Sequence, residues 1–181
     1  MPDASNKNEN LEKHVGDTEV SVLMANRNGS YALFSGLPSS RYEGVFFRAN
    51  GRMIKLIESI SFPSQITAIT NRLWGVTIKR SELSQTMFMP LNRDALVVEL
   101  GAPAEFELIL DAKISEDNRV WGRNYEVSNA DHTILVKFSK KNDARDDNSV
   151  FCDEFEAYLA LYAPELEYLP LQTWEEHFYR Y

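Results

Sequence analysis

Carboxylates are the most abundant reactive side chains in this chain, with 27 Asp and Glu against 3 His and 1 Cys. Glycoside hydrolysis needs two of them facing each other across a sugar. Glu43, Glu58, Asp111, Asp117 and Glu175 can be nominated, but no linear spacing sets any two of them on opposite walls. For each, a surface or ion-pair role is the more common one. Other catalytic templates are missing. There is no G-x-G-x-x-G or Walker-type loop, and Gly36-Leu37-Pro38-Ser39-Ser40 has neither the spacing nor the lysine. No G-x-S-x-G elbow is present. His14, His132 and His177 fall in a tail, a turn and an expected helix, without an H-x-x-x-H pair. A metal site would have to gather ligands from distant segments, and none is assigned. Cys152 is the single cysteine and stands next to Asp153, which opposes thiolate formation. An intramolecular disulfide is excluded, which fits a reducing compartment. No catalytic residue, metal or cofactor is expected.

Binding chemistry has more candidates. Trp74, Trp121 and Trp174 can stack on the apolar faces of sugars, although tryptophans in strand-rich segments more commonly anchor cores or interfaces. The formal net charge of −8 disfavours nonspecific binding to nucleic acid or anionic membranes. That charge is uneven. Between Arg41 and Arg93 eight bases stand against three acids, leaving +5 there and −13 elsewhere. Solvated strand faces account for this, and so would an acid-seeking docking face. The apolar runs, such as residues 157–163, are too short for a membrane-crossing helix. Residues 2–17 lack a basic segment followed by an apolar one, so no secretory signal is read and a cytoplasmic setting is expected.

The elements that must carry these residues follow a period of two. Residues 1–17 are polar and are expected to be a disordered tail, and residues 18–181 a single domain. Val20, Val22 and Met24 alternate with polar neighbours. Asn28-Gly29 and Asn50-Gly51 supply the dihedrals of tight hairpins, predicting strands over 31–34, 44–49 and 53–60. Further strand-like runs cover 65–80, 84–89, 95–100, 106–112, 125–129, 133–139 and 155–162. Residues 171–181 read as a short helix, with Thr173 and Glu176 as a capping box. Many short strands without intervening helices predict an all-β, antiparallel β-sandwich with a short C-terminal helix.

Three motifs carry a resemblance. The first runs from Asn28-Gly29-Ser30-Tyr31 through Arg41-Tyr42-Glu43-Gly44-Val45 to Lys55-Leu56-Ile57-Glu58. The second is Trp121-Gly122-Arg123-Asn124-Tyr125, and the third the aromatic, acidic segment 174–181. In order and spacing they resemble the N-terminal domain of bacterial and archaeal glycogen-debranching enzymes, the amylo-α-1,6-glucosidases. The resemblance implies a supersandwich-like β-sandwich preceding an α/α-barrel that holds the acid and base for α-1,6 hydrolysis. It makes an α-glucan and that barrel the expected partners. It also makes Arg41, Tyr42, Glu43, Trp74, Trp121 and Arg123 the binding or domain-docking candidates. Where the family has histidine after Arg-Tyr, this chain has Glu43, which inherits no imidazole role. Arg41 and Tyr42 at a turn-to-strand junction also suit an internal brace, and Gly44 a close backbone approach. A stand-alone carbohydrate-binding or protein-interaction module is the alternative from a different class.

Overall fold

The computed structural model describes residues 11–14, 21–35, 40, 42–49, 51–72, 74–114, 125–130, 133–140 and 155–164. They are all-β, in three antiparallel sheets. The expected helix over 171–181 lies outside them. The chain divides into two compact units, Met1–Ser115 and Glu116–Tyr181.

The first unit holds two five-stranded sheets. One has the order β10-β5-β4-β3-β2 and the other β1-β6-β7-β8-β9. The former contains β2 (Ser21–Ala25), β3 (Tyr31–Ser35), β4 (Gly44–Ala49), β5 (Arg52–Ser61) and β10 (Glu107–Ile114). The latter contains β1 (Leu11–His14), β6 (Ile66–Arg72), β7 (Gly75–Arg80), β8 (Ser84–Phe88) and β9 (Val97–Leu100). Strands β2 and β7 approach each other from the two sheets. Alternation supplies the core. Val22 and Met24 are buried between exposed Ser21, Leu23 and Ala25. Ala32, Val45 and Ile57 continue the same face across paired strands, while Ile69, Val76, Ile78 and Met87 are buried in the other sheet.

The Asn-Gly hairpins form as the sequence predicts. Gly29 and Gly51 have left-handed φ of 89° and 78°; the first lies in the longer link between the paired Ala25 and Tyr31, the second in the two-residue link between Ala49 and Arg52. Two features differ from the sequence reading. Leu11–His14, inside the stretch read as a tail, pairs with β6, because edge pairing uses backbone groups that side-chain composition does not register. Residues 65–80, read as one run, are two strands that reverse between the paired Arg72 and Gly75, where the intervening sequence carries no turn chemistry.

The second unit contributes β11 (Tyr125–Ala130), β12 (Thr133–Lys140) and β13 (Phe155–Tyr162) in that order. Ile134, Val136, Phe138 and Leu159 are buried, whereas Leu135, Tyr158 and Tyr162 are exposed. Lys137 bridges Glu156 at 3.3 Å and lies over the Tyr158 ring.

Candidate functional site

The residues of the first motif meet on the β3–β4–β5 face. A bulge between Val45 and Phe46 pairs Val45 with Ile57 and Phe46 with Lys55, leaving Leu56 as the extra residue. Lys55 and Glu58 are three apart and would point to opposite faces of a regular strand. The bulge returns them to one side, with Nζ of Lys55 2.5 Å from Oε2 of Glu58. Lys55 is fully buried, and its ammonium lies 5.4 Å from the centre of the Phe46 ring. Tyr31 stacks on Phe46 at 4.7 Å with planes 13° apart. Burial pushes the Tyr31 pKa above the usual tyrosine range, and Tyr42 beside it adds to the rise.

Gly44 makes this packing possible. Its φ is 109°, and a Cβ there would strike the Ile57 carbonyl oxygen and lie 2.6 Å from Lys55 Cε. Only glycine lets the lysine chain cross the β4 backbone. Glu43, next to it, is buried and closes the preceding turn. Its Oε1 accepts the Ser40 N–H at 3.0 Å, and its own N–H donates to the Ser40 carbonyl at 3.1 Å. The Ser40 hydroxyl accepts the Tyr42 N–H at 3.2 Å. Glu43 is therefore a turn-closing carboxylate.

A second cluster, which the sequence reading did not find, links the two sheets of the first unit. Ser30 is fully buried; its hydroxyl donates to Asp94 Oδ1 at 2.6 Å and accepts the Arg48 N–H at 3.0 Å. Asn26 Nδ2 donates to the Arg93 carbonyl at 2.9 Å and to Asp94 at 3.1 Å, and Asn26 Oδ1 accepts the Ser30 N–H at 2.9 Å. The hydrogen bond from Ser30 leads in holding the Asp94 carboxyl below its ordinary range. Bonds from Asn26 and Asn28 add to this, against a smaller rise from burial. The Asn28-Gly29 turn was visible in sequence, but nothing linear pairs segments 64 residues apart.

Of the nominated side chains, Glu58 meets Lys55 at the Gly44 crossing, Glu43 closes the turn that precedes it, and Tyr42 acts on Tyr31. Trp74 stands apart at the β6–β7 turn, 56% exposed. Arg41, Trp121, Arg123, Asp117, Glu175 and Trp174 lie outside the described residues, and only the backbone of Asp111 is described. Glu43 and the Glu58 side chain are 6% and 12% exposed. Glu43 is engaged in the turn with Ser40, and Glu58 is paired with Lys55. The arrangement is suited to bracing the β3–β4–β5 strands. Among the described residues no group of three His, Cys, Asp or Glu could hold a metal ion, and no helix is long and apolar enough to cross a membrane.

Fold and site together define an all-β, sandwich-type domain with a buried Lys–Glu brace. The chain matches no family model, no curated protein and no solved structure.

Proposed function

We propose that this chain is an accessory β-sandwich of a cytoplasmic glycogen-debranching amylo-α-1,6-glucosidase, one that helps shape the glucan site of a following catalytic barrel. One observation carries the reading. Gly44, Lys55 and Glu58, quoted from two separated stretches of the resembling motif, meet at one glycine crossing, with Tyr31 stacked on the Phe46 ring beside Lys55 and Glu43 closing the turn before it. This shared brace is what supports reading the stretches as one motif. In this reading the brace fixes the β3–β4–β5 face as a rigid wall for a partner domain, and the chemistry belongs to that partner. The test is to mix the chain with a separately produced α/α-barrel from a debranching glucosidase. Co-elution from a sizing column, with faster release of glucose from a branched limit dextrin than the barrel gives alone, is the expected result. A chain that neither binds the barrel nor alters its rate contradicts the proposal.

A further inference from the structure

The β6–β7 hairpin breaks the rule its neighbours obey. The β2–β3 and β4–β5 connections carry Asn28-Gly29 and Asn50-Gly51, whereas Arg72 pairs with Gly75 where the sequence between them has neither residue type. Tryptophan is not a residue that tight turns favour. The Trp74 side chain is not recovered by the core either, since it stays 56% exposed. Local rules broken without a packing gain concentrate at functional sites.

The indole is nonetheless held in place. Phe88 meets it edge-on at 5.9 Å with an interplanar angle of 75°, and the Arg72 guanidinium lies 5.4 Å from its centre. Gly75 lets the strands close up beneath it, because a Cβ there would fall 2.5 Å from the Met87 carbonyl oxygen and 2.9 Å from Phe88 Cβ. The next row on the same face is hydroxylated. Thr70, Thr77 and Thr86 are register partners on β6, β7 and β8, followed by Glu99 on β9; Thr77 is buried and its hydroxyl lies 3.2 Å from that of Thr86, while Thr70 and Thr86 are half-buried.

From this juxtaposition we infer that Trp74, steadied by Phe88 and flanked by Arg72, is a stacking platform for a neutral hexose chain on the outer face of β6–β7–β8. A protein partner would need roughly 800 Å² of contact on each side. A single exposed indole bordered by the exposed Arg72 offers an apolar surface matched to one or two sugar rings. A nucleobase could also stack, but the accompanying phosphates would meet a chain of net charge −8. The identity of the sugar as an α-glucan rests on the debranching proposal, whereas the platform itself does not.

The test is affinity electrophoresis of the whole chain through gels containing glycogen, with xylan and mannan gels alongside, for the native chain, Trp74→Ala, Trp74→Phe and Arg72→Ala. Far-UV circular dichroism checks that each variant is folded. The expected result is retardation by glycogen that weakens about tenfold in Trp74→Ala, less in Trp74→Phe, with an intermediate loss in Arg72→Ala. Retardation by xylan or mannan alone, lost with Trp74, keeps the platform and overturns its assignment to α-glucan. Retardation unchanged in folded Trp74→Ala overturns the platform. Absence of retardation in every gel also overturns it, while association with the barrel would still support the accessory-domain proposal.

Discussion

Lys55 and Glu58 form a buried ion pair at 2.5 Å although they are three residues apart on one strand. Removing one partner from such a pair leaves an uncompensated charge, whereas removing both can be far less costly. Lys55→Met is expected to lower stability by about 3–5 kcal/mol. The Lys55→Met/Glu58→Gln double variant should lose clearly less than the two single losses added. Urea melts arranged as a double-mutant cycle measure this, and additive losses would deny the coupling.

Gly44 and Gly51 share a positive φ but not their surroundings. Nothing lies within 4 Å of a Cβ added at Gly51, while one at Gly44 would meet the Ile57 and Glu58 backbone. Gly51→Ala is expected to cost about 1–2 kcal/mol, the left-handed penalty alone. Gly44→Ala should cost more, about 3–4 kcal/mol or above, because backbone cannot step aside as a flexible side chain can. Equal midpoint shifts for the two variants would contradict the crossing.

The Asp94 cluster should make stability acid-sensitive. The folded pKa of Asp94 is depressed, chiefly by the Ser30 hydroxyl. Its contribution is therefore present above the ordinary carboxylate pKa and is lost as pH falls through the lower folded value. Asp94→Asn is expected to be less stable than the native chain at neutral pH, with the gap closing towards pH 3. Denaturant midpoints measured across that range decide it, and a gap independent of pH would assign the cluster no ionised carboxylate. Ser30→Ala should reduce the pH dependence in the same direction.

Strand positions were legible because period-two alternation and Asn-Gly turns are local signals. β4 and β13 occupy the residues the pattern predicts. The reversal between Arg72 and Gly75 was not legible, because the sequence there lacks the residues that announce one. The brace was only half legible. Lys55-Leu56-Ile57-Glu58 reads as plain alternation that sends the two charges to opposite faces, and the bulge that reunites them is set by pairing with β4. The Ser30–Asp94 link depends on how two turns meet in space, which no local pattern encodes.

The most direct measurement is glucose release from a branched limit dextrin by the highly purified chain alone. An accessory domain whose carboxylates Glu43 and Glu58 are engaged in a turn and an ion pair should release none above the blank. Turnover by the chain that disappears in Glu43→Gln or Glu58→Gln would contradict it and place the chemistry within the chain itself.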